Sequence, residues 1–424
     1  MLCESAYVTS VCHNATRALS EHHKHLAHNS DAVQSVICIS LGGLLLVGAG
    51  FTSATWRAVS ATVVLAAFLL LAFLLPFPVH GFVMGDGSSI VQDRSNFDDL
   101  VRHEKEIRFS AHLAYRLLDR IDASLGSTPA SSAQAYRTLS WLAGAAVALS
   151  LWCLAATDRW SPRSVRYIAL SVIAPATLMY FGYLEVGYLS LAAAAFPFVA
   201  RDLVKGDDLT VGLLVGSLLF GLGAAMHGVG YLSIAALFFA VVTFDIPLGR
   251  RLVLATALSA IAVGAALIWL WYYLAVLGFD VIPGHAIGGF MARPLWHARE
   301  AETRILYPLL STITARDLFL SGLVAGLPVT LVVLLNRTPW PRDARLALAF
   351  TSPCLIFFVL FWPVQGIAIE MDMIVAAFPA IYALLWVCSQ SVRASIASAA
   401  LLGLGHATFW WVIFDDRFVN GMLR

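Results

Sequence analysis

The chain has 424 residues, of which 59% are hydrophobic and 12% are charged, whereas soluble domains carry roughly 25% charged residues. So few charges cannot solvate the surface of a protein this large, and the composition therefore excludes a soluble fold. The net charge of +1, from 27 basic and 26 acidic residues, does not suit binding to a polyanion, so nucleic acid is not an expected partner.

Residues 1–33 form a polar segment rich in histidine, and we interpret it as a flexible, solvated tail. A metal-binding histidine tract is the alternative interpretation. The segment lacks the short basic start of a cleaved signal peptide. The six cysteines are scattered along the chain, so no disulfide framework is expected.

A helix that crosses a membrane needs roughly 20 apolar residues, and we predict an all-α fold, a polytopic transmembrane bundle of about 12 helices. The apolar runs are 34–52, 58–80, 139–156, 166–182, 185–200, 209–226, 229–244, 252–277, 317–335, 346–363, 370–388 and 394–413. The predicted order is tail (1–33), two helices (34–80), long loop (81–138), six helices (139–277), long loop (278–316), four helices (317–413) and C-terminal tail (414–424).

Basic residues in the short loops predict the orientation, because cytoplasmic loops carry an excess of Lys and Arg. If 157–166 is cytoplasmic, every second loop after it is also basic, while the opposing short turns carry no Lys or Arg. The basic residues on this side are Arg159, Arg163, Arg166, Arg201, Lys205, Arg250, Arg251, Arg337, Arg342, Arg345 and Arg393. The long segments 81–138 and 278–316 then lie on the outer side of a multi-pass protein of the cell membrane, facing the periplasm or the exterior.

Within the first outer segment, the stretch from Glu106 to Ile121 has the pattern of an amphipathic helix. Its apolar residues step by three and four along one stripe, and most of its charged residues fall off that stripe. Such a helix lies in the membrane interface or packs on the outer loops of the protein itself.

Asp86 follows the second apolar run in the sequence Met84-Gly85-Asp86-Gly87-Ser88. The flanking glycines let the backbone bend sharply and leave the carboxylate uncrowded. A carboxylate in this position can act as a general base that accepts the proton of an incoming hydroxyl. The alternative is a Gly-Asp-Gly turn whose carboxylate bonds its own backbone.

Two further outer turns carry polar residues suited to a sugar. Glu185 lies among three tyrosines, including Tyr183, and aromatic faces pack on pyranose rings while a carboxylate holds hydroxyls. His227 occupies the next outer turn. The alternatives are a partner for tyrosine hydroxyls at the membrane interface and an ordinary interface histidine.

Charged residues near the start of the eleventh run and in the second outer segment complete the candidate site. Glu370 and Asp372 face the same outer compartment as Asp86 and could hold a sugar or a divalent cation such as Mg²⁺ or Mn²⁺; acidic residues also suit a helix N-terminus. Arginine forks match phosphate geometry, and the second segment carries a basic cluster. Its members are His285, Arg293, His297, Arg299 and Arg304. A solvated basic loop is the alternative.

Taken together, these motifs resemble the GT-C superfamily of membrane glycosyltransferases, in particular an uncharacterised-type branch of it. The motifs are Gly85-Asp86-Gly87, the helix from Glu106, Phe181-Gly182-Tyr183-Leu184-Glu185, His227 and Gly366 to Asp372. The resemblance implies a GT-C-like bundle that takes sugars from polyprenyl phosphates, with Asp86 as the base and with Glu185, His227 and Asp372 lining the site.

The expected function is therefore transfer of one sugar from a polyprenyl-phosphate donor to a lipid, glycan or protein hydroxyl at the outer face of the membrane. A secondary transporter is the alternative from another class, although no repeat is visible and the ionisable residues cluster at the outer edge. An acyl or phosphoglycerol transferase would use similar residues.

Overall fold

The computed structural model is helical, and no strand occurs among the residues that it describes. Those residues are 33–75, 120–121, 123–126, 129–181, 199, 202, 209–226, 230–271, 329, 332, 345, 347–353 and 378–414. Three described segments are long and apolar enough to cross a membrane by length and composition: Ala54–Leu74, Arg137–Thr157 and Leu248–Ile268. Helices of this kind are typical of an integral membrane protein.

The helices are numbered here in chain order over the described residues. They are α1 (Val33–Gly48), α2 (Ala54–Leu74), α3 (Pro129–Thr157), α4 (Pro162–Ile173), a 3₁₀ helix (Pro175–Phe181), α5 (Val211–Met226), α6 (Tyr231–Val242), α7 (Leu248–Trp271), α8 (Phe378–Cys388) and α9 (Val392–Phe414).

Helices α2 and α3 are antiparallel neighbours that are tied together at both ends. Near the start of α2, the Arg57 guanidinium donates to the carbonyl oxygen of Trp160, beyond the end of α3, at 2.6 Å. It also donates to the Phe51 carbonyl oxygen in the turn between α1 and α2. Toward the other end, the Trp141 indole N–H of α3 donates to the Leu69 carbonyl oxygen of α2 at 2.9 Å. These bonds fix α3 against the α1–α2 hairpin.

Helix α4 is the central helix of this part of the bundle, in contact with α2, α3, α8 and α9. Ser161 caps its N-terminus by accepting a hydrogen bond from the Ser164 amide, and Pro162 occupies the first turn. The carboxylate of Asp158 accepts hydrogen bonds from the Ser161 and Ser164 hydroxyls, both at 2.5 Å. Every residue from Ser164 to Ile173 except Arg166 is buried, so α4 is surrounded by protein and presents little surface to lipid.

Two arginines at the start of α4 attach it to the turn between α8 and α9. The Arg163 guanidinium lies over the Trp386 ring, 4.1 Å from its centroid. Arg166 donates to the carbonyl oxygens of Ser389 and Gln390 at 2.8 and 3.0 Å, which satisfies acceptors at the end of α8. Arg57, next to the α1–α2 turn, reaches the α3–α4 turn. The α1–α2, α3–α4 and α8–α9 turns therefore meet at one end of the bundle, called the arginine end below.

Helices α5, α6 and α7 pack against one another. Gly221 permits the approach of α5 to α7, because a Cβ at this position would collide with the Ala262 carbonyl oxygen. At the turn between α6 and α7, the Asp245 carboxylate accepts two hydrogen bonds from Arg345, both at 2.7 Å. This pair links the turn to the later part of the chain.

Large apolar side chains cover the outward faces of α2 and α7. The side chains of Val63 and Leu70 on α2, and of Val253 and Ile268 on α7, are more than half exposed. Exposed apolar stripes along full-length helices suit contact with lipid chains. The described residues therefore agree with lipid as the solvent of this fold.

Helix α3 begins at Pro129, inside the outer segment predicted as 81–138. Apolar runs report membrane depth and not the ends of helices, and the polar first turns of α3 continue the helix beyond the apolar run. Most of the predicted amphipathic helix Glu106–Ile121 lies outside the described residues. Its last two residues are helical, with Arg120 exposed and Ile121 packed against the core.

Candidate functional site

The fourth predicted run, 166–182, is not one continuous α-helix. Helix α4 ends at Ile173, and Ala174 adopts φ −58° and ψ 131° because the following proline disfavours helical backbone at that position. The chain continues as the 3₁₀ helix from Pro175 to Phe181. At 1.5 Å per residue α4 is about 18 Å long, which is well short of the roughly 30 Å hydrocarbon core of a bilayer.

The break at Pro175 leaves carbonyl oxygens of α4 without their usual donors. Pro175 has no N–H to give to the Ser171 carbonyl, and the Thr177 hydroxyl donates to that oxygen instead, at 2.6 Å. The Thr177 amide bonds the Ala174 carbonyl at 2.8 Å in 3₁₀ fashion, so it does not serve Ile173. Side chains thus take over bonds that the backbone gives up, as buried breaks in membrane helices require.

The Ile173 carbonyl is served by His406 of α9. The Nε2 atom of His406 lies 2.7 Å from the Ile173 carbonyl oxygen, and Nδ1 lies 2.9 Å from the Ser35 hydroxyl of α1. A carbonyl oxygen only accepts, so Nε2 carries the proton and, in the neutral ring, Nδ1 accepts from the Ser35 hydroxyl. His406 is 1% exposed and Ser35 is 2% exposed. One imidazole therefore links α1, α4 and α9 at the break.

The 3₁₀ helix after the break is itself buried among helices. It contacts α2, α3 and α9, and Thr177, Leu178 and Phe181 are all buried. The Phe181 ring meets the Phe68 ring of α2 edge to face, with centroids 5.6 Å apart. A 3₁₀ stretch this long is uncommon, and one that interrupts a helix often marks a functional hinge or strain.

The end of α2 lies at the same end of the bundle, opposite the arginine end. The Leu75 carbonyl oxygen, just beyond α2, accepts a hydrogen bond from the Gln34 side chain at 2.8 Å. Phe73 of α2 and Trp141 of α3 meet edge to face at 5.7 Å. Asp86 follows Leu75 by 11 residues in the sequence.

Arg137 is a cation one turn before Trp141 on α3. Its side chain is half-buried, and its Nε atom is buried with no hydrogen-bond partner among the described residues. A guanidinium this close to apolar surfaces favours an anionic partner.

The site residues predicted from the sequence all lie outside the described residues. They are Asp86, Glu106, Tyr183, Glu185, His227, Arg293, His297, Arg299, Arg304, Glu370 and Asp372. The carboxylates predicted for a divalent cation belong to this set. In the described part of the chain, no group of three or more His, Cys, Asp or Glu side chains is arranged to bind a metal.

The sequence interpretation missed His406, Ser35 and the break at Pro175. Two signals could have found them: a proline inside the run 166–182, and a histidine inside the run 394–413. An ionisable residue within a membrane segment faces the bundle interior and pairs with another group, as His406 does.

No protein-family model matches the chain, and no curated protein or solved structure matches it either. The described fold is of the class of helical integral membrane proteins. Its central helix, α4, has a buried break at which side chains hydrogen-bond to backbone carbonyls.

Proposed function

We propose that the protein is a membrane glycosyltransferase that moves one sugar from a polyprenyl-phosphate donor to a lipid, glycan or protein hydroxyl at the outer face of the cell membrane. Asp86 is its general base. The proposal begins from the motifs that resemble the GT-C superfamily and gains support from the break in α4.

The observation that carries the proposal is the contact between Phe181 and Phe68. Phe181 directly precedes the turn that carries Tyr183 and Glu185, and Phe68 belongs to the helix that leads to Asp86. Both segments therefore leave the described bundle from packed neighbouring elements. This packing supports one site that combines the base from one segment with the sugar-binding residues of the other.

In the proposed reaction, Asp86 takes the proton of the acceptor hydroxyl while that oxygen attacks the anomeric carbon of the donor sugar. The new C–O bond forms as the bond to the polyprenyl phosphate breaks, and the phosphate leaves with the bonding electrons. Attack opposite the leaving group inverts the anomeric configuration. The carboxylate acts by general base catalysis.

The remaining predicted residues bind the two ends of the donor. Tyr183 and Glu185 hold the sugar, with Glu106, His227, Glu370 and Asp372 as further polar groups around it. Stabilisation of the leaving phosphate belongs to the basic segment of the second outer loop. Its residues are Arg293, His297, Arg299 and Arg304. Arg137 supports stabilisation of the leaving phosphate as well, since its guanidinium lies near the end of α2.

The proposal is tested with the full chain purified in detergent and a panel of radiolabelled polyprenyl-phosphate sugars. The expected result is disappearance of one donor together with a product whose mass is that of an acceptor plus one sugar. A product carrying an acyl or phosphoglycerol group would assign another transferase class. A folded protein that leaves every donor intact would contradict the proposal.

A secondary transporter is the second candidate, because the buried break in α4 is also typical of transporters, which bind substrates at discontinuous helices. Proteoliposomes separate the two functions. Uptake of a labelled sugar without any covalent product would favour transport, whereas product formation without uptake would favour transfer.

A further inference from the structure

We propose that His406 is a positioning residue that fixes the break in α4 and with it the 3₁₀ helix that ends at Phe181. The inference rests on the proposed function and deepens it, because Tyr183 and Glu185, the residues proposed to hold the sugar, follow Phe181 directly.

The break needs a hydrogen-bond donor at the Ile173 carbonyl. The Thr177 amide, which an unbroken helix would direct to the Ile173 carbonyl, bonds Ala174 instead. Ile173 is 2% exposed, so water does not replace the missing donor. An unsatisfied carbonyl in an apolar interior is costly, and the Nε2 atom of His406 removes that cost at a distance of 2.7 Å.

The imidazole of His406 is also held on both sides. Its Nδ1 atom is bonded to Ser35 of α1 while Nε2 is bonded to Ile173, so the ring cannot turn without losing one bond. Three helices are thereby joined at the point where α4 stops. Such locking by neighbouring hydrogen bonds is how a protein holds a site in one geometry.

The positioning role of His406 is distinct from catalysis. His406 is 1% exposed and both ring nitrogens are used within the protein. Neither nitrogen is available to a substrate, so His406 acts on a site only through the backbone that it holds.

The chain offers matched variants for a test. His406→Leu removes the donor to Ile173, whereas His406→Gln keeps an N–H donor and an acceptor oxygen. Leu402→Ala is the control, because Leu402 is fully buried one turn earlier on α9 and its truncation weakens packing without removing a hydrogen bond at the break.

Hydrogen–deuterium exchange of the full chain in detergent gives a readout that does not depend on activity. We expect the amides of 176–181 to exchange at least about tenfold faster in His406→Leu than in the wild type, because the break then opens more easily. His406→Gln is expected to restore most of the protection. Exchange in His406→Leu no faster than in Leu402→Ala would overturn the inference.

Should His406→Leu not fold, Ser35→Ala provides a milder comparison, because it frees one side of the ring, which then holds the Ile173 carbonyl less firmly. We then expect faster exchange of 176–181 than in Leu402→Ala, and equal or slower exchange overturns the inference.

The kinetic readout distinguishes positioning from stability. In His406→Leu we expect kcat per folded molecule to fall by roughly 10- to 100-fold, as misplacement of a binding segment does, with a smaller change in KM. We expect kcat of Leu402→Ala to stay within about twofold of the wild type, since its site geometry is intact. Equal kcat values in the two variants would overturn the inference.

A wild type that transfers no sugar contradicts the proposed function alone, and the exchange comparison still decides the role of His406.

Discussion

Pro175 and Thr177 show how single residues make the break in α4 stable inside an apolar bundle. Pro175 removes an N–H and disfavours helical backbone at Ala174. Thr177, two residues later, returns a donor to the Ser171 carbonyl at 2.6 Å. The proline costs one hydrogen bond and the threonine replaces it, so the break persists without an unsatisfied carbonyl at Ser171.

Replacing Thr177 by valine keeps the shape of the side chain and removes the hydroxyl. Because the Ser171 carbonyl then has no donor in a buried position, we expect a loss of about 1–3 kcal/mol in the free energy of unfolding. The change in stability is measured by thermal unfolding in detergent, with the folded fraction at each temperature read by size-exclusion chromatography.

The control for this variant is Thr243→Val. The Thr243 hydroxyl donates to the Ala240 carbonyl oxygen at the same 2.6 Å, but that oxygen also accepts the Thr243 amide. We therefore expect a smaller loss than in Thr177→Val. Equal losses in the two variants would show that the break does not depend on the threonine.

At the scale of elements, the close approach of α1 to α4 depends on Gly42. A Cβ on Gly42 would collide with the Ile173 side chain and would lie 2.8 Å from the Ala169 carbonyl oxygen. The adjacent Gly43 has open space around its Cβ position. Two neighbouring glycines of one helix thus differ only in what they face.

Gly42→Ala and Gly43→Ala are therefore expected to differ in their effect on stability. Alanine favours a helix over glycine by about 1 kcal/mol, so Gly43→Ala is expected to raise the unfolding temperature or leave it unchanged. Overpacking costs about 1–3 kcal/mol, so Gly42→Ala is expected to lower it. Equal shifts in thermal unfolding would contradict the packing of α1 on α4.

The sequence was informative about helices and less informative about where they break. Apolar runs such as 209–226 and 394–413 coincide closely with α5 and α9, because hydropathy reports which residues leave water. Hydropathy alone does not indicate that α3 starts at Pro129 or that α4 stops at Ile173, since those ends depend on backbone donors and acceptors; for α4 the signal was Pro175 within the run. The pairing of His406 with Ser35 and Ile173 joins distant parts of the chain, and local patterns do not reveal such contacts.

At the scale of the whole molecule, the contacts at the arginine end link turns that the charge pattern predicts to share one side of the membrane. Arg57 and Arg166 each bond a turn from another part of the chain at this end, and Arg345 bonds Asp245 at the α6–α7 turn. The ends of α2 and of the 3₁₀ helix lie at the opposite end of the bundle, and the segments that carry Asp86 and Glu185 follow them in the sequence.

The orientation is tested by labelling single cysteines in intact cells with a membrane-impermeant maleimide. In a chain whose six native cysteines are replaced, we expect Asn96→Cys in the first outer segment to react from outside. Gly249→Cys lies in an exposed position in the first turn of α7 and is expected to react only after permeabilisation. The reverse pattern would invert the predicted topology.

The central claim is that Asp86 serves as the base of a sugar transfer, and the most direct measurement is kcat for transfer from the active polyprenyl-phosphate donor in three proteins. They are the wild type, Asp86→Asn, and Asp93→Asn as a control carboxylate from the same outer segment. We expect kcat of Asp86→Asn to fall by about 10²–10⁴-fold, the usual contribution of a general base, while Asp93→Asn retains wild-type transfer. Unchanged transfer in folded Asp86→Asn would contradict the account.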